Sequence, residues 1–255
     1  MLKICREDLV RKFLMVVFSF LVIGCFIGEY QVMAMTLLDV QEEYQDDEQY
    51  QKMVEDFGEE YGRQFCGDVL RARREELLRG GGGNICYQYV TNIMQNKTYN
   101  CGSASVLQNL YGLGTAGNVP GTSNNEKMNA IDAAYNVDAQ GCLMVYQVRD
   151  ALNTYSGRSY IYEEGSTMTQ AAFADKVAAS LMNARPVILH AETFYLPYYG
   201  QNVMWHYISL DYINRSTQTV RLVDCNYMQE FYGVHEVAVS DAYATISHGG
   251  RYIIR

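Results

Sequence analysis

Apolar and polar positions change their period several times along the chain. Val54, Phe57, Tyr61, Phe65 and Val69 recur at helical spacing, which predicts an amphipathic helix; "RARREELLRGGGG" ends it, with the glycines at 80–83 as a flexible joint. From Ile85 onward the pattern is that of a mixed domain. In "CGSASVLQNLYGLG" the residues Ala104, Leu107, Leu110 and Tyr111 form one stripe that Gly112 and Gly114 stop, so a buried helix is expected with Cys101 in its first turn. Further helices are expected over 124–135, 144–153 and 168–183. The last starts at a Thr167-x-x-Gln170 capping box and turns Phe173, Val177 and Leu181 to a core. Strands follow at 185–192, 204–213 and 219–224, with shorter alternations in "HEVAVS" and the final "YIIR". Helices first and antiparallel strands second give an α+β class. There is no internal repeat.

Composition narrows the picture. A chain of 255 residues, 49% hydrophobic, can bury a sizeable core as one large domain or as a domain with an N-terminal extension. The net charge of -9 leaves no basic stripe to neutralise phosphates, so no nucleic acid partner is expected. The 22 tyrosines suit a groove for peptides or sugars, or ordinary packing.

The N-terminus carries Lys3, Arg6, Arg11 and Lys12 ahead of the uncharged run 13–28. A basic start followed by a short apolar run is the pattern of a secretory signal, with small-residue cleavage after Ala34. Val22-Ile23-Gly24-Cys25 also matches a bacterial lipoprotein box, and the run leaves a membrane anchor open as well. Three segments are therefore expected: 1–34 as signal peptide or anchor, 35–84 as acidic helical arm and Gly-rich linker, and 85–255 as the folded domain. Over 39–60 ten acids stand against one lysine, as a propeptide or docking arm over a cleft or as a solvated stalk. The expected location is extracellular or at the cell surface, and the oligomeric state is left open.

Cysteine usage follows from export. Cys5 and Cys25 fall in the leader, leaving Cys66, Cys86, Cys101, Cys142 and Cys225. With Cys101 as a free nucleophile the other four can form two disulfides or remain buried thiols. A cysteine at a helix start has its thiolate stabilised by the dipole and by free N–H groups. It also needs a base. Among His190, His206, His235 and His248, His206 stands out because "WHYISLDYINRSTQTVRLVDCNY" reads as a hairpin with His206 opening one strand and Asp224 closing the other. With a loop at 213–217, Tyr212 pairs with Gln218 and His206 falls opposite Asp224. Loops of three or five residues keep the two side chains on one face, whereas four would separate them. An aspartate beside the ring fixes its tautomer and stabilises the imidazolium. A lone strand histidine would otherwise be satisfied by tyrosine hydroxyls. Gln95, just upstream of the helix, can supply a side-chain donor to an oxyanion, although a glutamine is commonly a surface residue.

Gln95, the Cys101-Gly102-x-Ala104-Ser105 helix start, "RPVILHAE", "YLPYYG", His206 and Asp224 in this order resemble the papain-like cysteine peptidases. Among them the chain is similar to the bacteriocin-leader (double-glycine) peptidase-like branch, family 39 of the cysteine class, over about 85–255. The resemblance implies a papain-like α+β fold, Cys101 as nucleophile, His206 as base, Asp224 as orienter, Gln95 in the oxyanion hole, and neither metal nor cofactor. It implies a peptide or protein substrate, cleaved through a thioester. The chain departs from the branch at Ser103, where proline is usual, at Trp205 in place of glycine, and at Cys225 in place of proline. Trp205 either narrows the cleft beside the base or is buried in the core. The same machinery would serve an acyltransferase or amidase, and a silent cell-surface binding module for peptide or glycan is the reading from another class. The glycines at 80–83, just before the domain, also raise self-cleavage there. "NKT" at 96–98 and "NRS" at 214–216 match glycosylation acceptors by accident of sequence.

Overall fold

The computed structural model of the chain describes residues 85–255. The leader, the acidic arm, Cys66 and the glycines at 80–83 lie outside the described residues, and so do the expectations placed on them.

The class is α+β. Helices α1 (Cys101–Gly112), α2 (Asn124–Ala134), α3 (Val137–Gln140) and α4 (Val145–Ser156) form one layer. Among the described residues the seven strands are β1 (Ile85–Tyr87), β2 (Tyr162–Glu164), β3 (Val187–Glu192), β4 (Trp205–Asn214), β5 (Thr219–Asp224), β6 (Gly233–Ala238) and β7 (Tyr252–Ile254). They make one antiparallel sheet in the order β2-β7-β3-β4-β5-β6, and β1 continues the β3 edge along the far end of β4. Helices α5 (Gln170–Met182) and α6 (Val239–Ala244) cover the other face.

Several local expectations shift. Helix α5 begins at Gln170 with Thr169 as its cap, the Thr169 hydroxyl accepting from Ala172 N–H. Thr167 instead sits in a 3-10 turn and donates to the Glu164 carbonyl, so the Thr167 box does not form. "HEVAVS" is strand only to Ala238, where α6 takes over, and "YIIR" is an inner strand between β2 and β3. The expected start of α2 holds well: Ser123 and Glu126 make a reciprocal capping box.

The hairpin differs most. Asn214 pairs with Thr219 across a four-residue turn at 215–218, and Tyr212 faces Arg221, not Gln218. Such a turn alone would put His206 and Asp224 on opposite faces. A bulge between Leu210 and Tyr212 restores the parity: Ser209 faces Val223, and one step on Asp224 stands against Ile208, two residues from His206. Ile208, Leu210 and Ile213 all reach the same core because the extra residue, Asp211, absorbs the odd step. Its buried carboxylate accepts from Arg221 Nε at 2.7 Å and Nη2 at 3.2 Å.

Candidate active site

Helix α1 is buried almost all round, polar residues included. Those polar residues fasten it to β4: Ser105 Oγ donates to the Tyr207 carbonyl at 3.0 Å, and Ser209 Oγ donates to Gln108 Oε1 at 2.8 Å. Each such buried bond contributes about 1 kcal/mol, and together they fix where α1 begins relative to the start of β4. Gly102 permits the approach, since a Cβ there would stand 3.0 Å from Leu143 Cβ and 3.2 Å from Tyr207 Cδ2.

Asn100 occupies the cap position of α1 without capping it. Its amide is turned away: Oδ1 accepts from Lys97 N–H, and Nδ2 donates to Asn96 Oδ1 and Asp132 Oδ2. Lys97 and Ser103 bind the same Asp132. The first N–H groups of α1 are thus left for whatever sits at Cys101.

Cys101, His206 and Asp224 come together. His206 Nε2 lies 2.8 Å from Asp224 Oδ1, and the ring is near enough to the Cys101 thiol to act on its acidity, as are the Gly102 and Tyr207 backbone groups. Burial works against a charged Cys101, but the His206 charge and these nearby donors outweigh it and hold the thiol below its ordinary value. Burial likewise opposes protonation of His206, yet Asp224 and then Cys101 push it well above the usual histidine range. The two groups thus favour each other's charged form.

A second thiol stands against the same ring. Cys225 Sγ is 3.9 Å from His206 Nε2 and 3.5 Å from the Cys101 carbonyl. Burial dominates there and pushes it up, so Cys225 keeps its proton. Cys225 is wholly enclosed, while Cys101 retains 8% exposure. Gln95 joins the cluster through Cys225: its N–H donates to the Cys225 carbonyl at 2.7 Å and its Oε1 lies 3.9 Å from Cys225 Sγ. Its Nε2 donates one hydrogen to the Lys97 carbonyl. All four cysteines among the described residues are free thiols, so the two-disulfide alternative has no pair there.

The sequence reading missed the groups that hold Asp224. Tyr198 and Tyr199 donate to Oδ2 at 3.0 and 2.8 Å, Asn226 N–H donates to Oδ1 at 2.9 Å, and Asn226 Nδ2 reaches the Tyr199 hydroxyl. The signal was present in "YLPYYG", where Pro197 opens a 3-10 turn that aims both tyrosines at the hairpin. Tyr199→Phe removes one of the four donors and is expected to cost about 1 kcal/mol, read as a fall of about 2–4 °C in Tm.

The other histidines are placed elsewhere. His235 stacks on Tyr198 and meets the Phe231 carbonyl at 2.8 Å, His248 bonds the Tyr195 hydroxyl, and His190 stacks on Tyr207. Trp205 is 68% exposed beside His206, which rules out core burial. For a metal, His206, Asp224 and Cys225 offer ligand atoms within 4.8 Å of one another, the one such group among the described residues. Both Asp224 oxygens already accept two hydrogen bonds, so an ion there would have to displace the His206 contact.

No family model matches the chain, and no curated protein matches it. Among solved structures it is similar to the crystal structure of a double-glycine motif protease from an AMS/PCAT transporter in complex with the leader peptide, at 14% identity over 66% of this chain and 91% of that chain, with a TM-score of 0.41. A likeness of that size leaves the chemistry to be read from the residues themselves.

Proposed function

We propose that the chain is an exported thiol peptidase of papain-like fold, acting on peptide or protein substrates at the cell surface or outside it. One observation carries the reading: a single imidazole bonds a buried carboxylate held by three further donors and holds the thiol at an uncapped helix start below its ordinary value. The Cys101 thiolate attacks the amide carbonyl carbon, forming a C–S bond as the carbonyl oxygen takes the charge. In this reading the N–H of Cys101 and the second amide hydrogen of Gln95 serve as the donors to that oxygen. His206 gives its proton to the leaving nitrogen as the C–N bond breaks, and the thioester remains. Water then attacks with His206 as base, restoring the thiol and releasing the acid. Asp224 orients the ring and stabilises its charged form throughout. Export rests on the leader at 1–34.

The test is cleavage of a mixed peptide library read by mass spectrometry. Wild type is expected to yield products that Cys101→Ala does not, and added amines should not replace water in them. Equal products from both chains, or transfer to the amine alone, would overturn hydrolysis at Cys101.

Chain length bears on self-cleavage at 80–83. Ile85 pairs with Asn214, eight residues along β4 from His206 and so roughly 25 Å away, whereas Gly80 has only about 17 Å of chain before Ile85. Any scission there is expected in trans, concentration-dependent, and visible on a tagged Cys101→Ala chain mixed with wild type.

A further inference from the structure

Buried cations among the described residues have partners, with one exception. Arg221 is paired with Asp211, and Lys127 Nζ donates to the carbonyls of Ala116 and Val119. Arg251 is 8% exposed and donates only from Nη1 to the Gly250 carbonyl at 2.8 Å. Its Nε is buried without an acceptor, and no carboxylate among the described residues pairs with it. A buried guanidinium N–H left without an acceptor is unfavourable, and an anion would complete it.

The surroundings of Arg251 point to where that anion belongs. The guanidinium carbon lies over the Trp205 ring, 4.2 Å from its centroid. An arginine held on an aromatic ring keeps the planar fork of donors with which it takes a carboxylate through two parallel hydrogen bonds. Trp205 directly precedes His206 and is the most exposed large apolar residue of the described chain. Arg251 also acts on the Tyr207 hydroxyl, the group that donates to the Leu143 carbonyl and feels Cys101 as well. A second orphan lies alongside: His190 Nδ1 is buried without a partner, its ring held neutral, down to about 4, by burial and by the Arg251 charge.

We propose that Arg251 anchors a carboxylate of the substrate, with the Trp205 ring as the apolar wall of that subsite. The inference rests on the peptidase reading and names its substrate class: peptides with Asp, Glu or a free C-terminal carboxylate close to the bond that is cut. Trp205, a departure from the glycine usual in the resembling branch, is then part of the recognition surface beside the base.

The chain contains a single tryptophan, so its fluorescence reports on this subsite alone. The full-length Cys101→Ala chain is titrated with N-acetylated Gly/Ala pentapeptides carrying one Glu or one Gln at each position in turn, each as the C-terminal amide and as the free acid. The Glu peptides are expected to bind about 10- to 100-fold tighter than their Gln counterparts at one or two positions, the range of a charge-assisted hydrogen-bonded pair. A preference that follows only the free C-terminus assigns the subsite to the terminal carboxylate. In Arg251→Gln the difference should shrink below about 2-fold, and if that variant unfolds, Arg251→Lys should keep the sign of the preference at a smaller size. Equal binding of acid and amide peptides by the parent chain, or a preference untouched by either substitution, would sink the proposal. Wild type that binds the acidic peptide and cuts none of the library would leave the Arg251 site standing and remove the peptidase reading.

Discussion

Iodoacetamide is expected to alkylate Cys101 at pH 6 faster than it does an ordinary thiol, while His206→Ala moves the midpoint of labelling up toward the ordinary thiol value of about 8.5. At pH 6 a thiol titrating there is almost entirely protonated, so the variant should label up to about 300-fold more slowly. The sign follows from the pair: the imidazolium holds the Cys101 thiol down, and that thiolate with Asp224 holds the His206 ring up. Alkylation needs only the thiolate, so it rises once with pH and then stays level. Acylation also needs the ring proton, so turnover should rise through the lowered Cys101 value and fall again only when His206 titrates, far above a free histidine. Cys225 is the internal control, since burial holds it protonated and enclosed. Labelling of Cys225 before Cys101, or a wild-type profile that tracks a free thiol, would overturn the assignment of the nucleophile.

Much of this site was legible because its chemistry is local. A cysteine at the start of an apolar stripe, and a histidine and an aspartate at the two ends of a hairpin, announce themselves in one dimension. What escaped was three-dimensional bookkeeping of polar groups. The sequence reading gave Ser105 no partner and Gln108 no role, yet both are buried against β4 and fasten α1 beside it. Tyr198 and Tyr199 were legible only as tyrosines suited to a groove or to ordinary packing, yet their hydroxyls converge on one carboxylate. Period alone cannot distinguish a polar residue that faces water from one that has found a partner far along the chain.

The register of the hairpin shows the other kind of limit. In "WHYISLDYIN" the apolar positions Ile208, Leu210 and Ile213 step by two and then by three, and a step of three inside a strand is the mark of a bulge. Counting turn residues without it leads to the wrong pairs, even though two deviations, a four-residue turn and one extra residue, cancel and leave His206 and Asp224 on one face.

Asp211→Ala is accordingly expected to have the largest effect on stability of any single change in the hairpin. It takes from the buried Arg221 the carboxylate that accepts from its Nε and Nη2, which costs about 3–5 kcal/mol and lowers Tm by roughly 6–20 °C. The ion pair is not there as a net stabiliser: burial pushes the Asp211 carboxyl up even against Arg221 and the Val90 N–H. Replacing both partners by apolar residues, Asp211→Leu with Arg221→Met, should therefore recover most of the loss. That double variant also separates two causes of the bulge. If the 208, 210, 213 spacing of core residues sets the register, the Cys101 labelling profile stays as in wild type, because Asp224 still faces the His206 side of the sheet. If the ion pair sets it, the strand slips by one residue, His206 loses Asp224, and labelling moves to the profile of His206→Ala while the chain remains folded. The burial of Ile213 beside Ile208 and Leu210 favours the first outcome, since a slip would expose one set or the other to the wrong face.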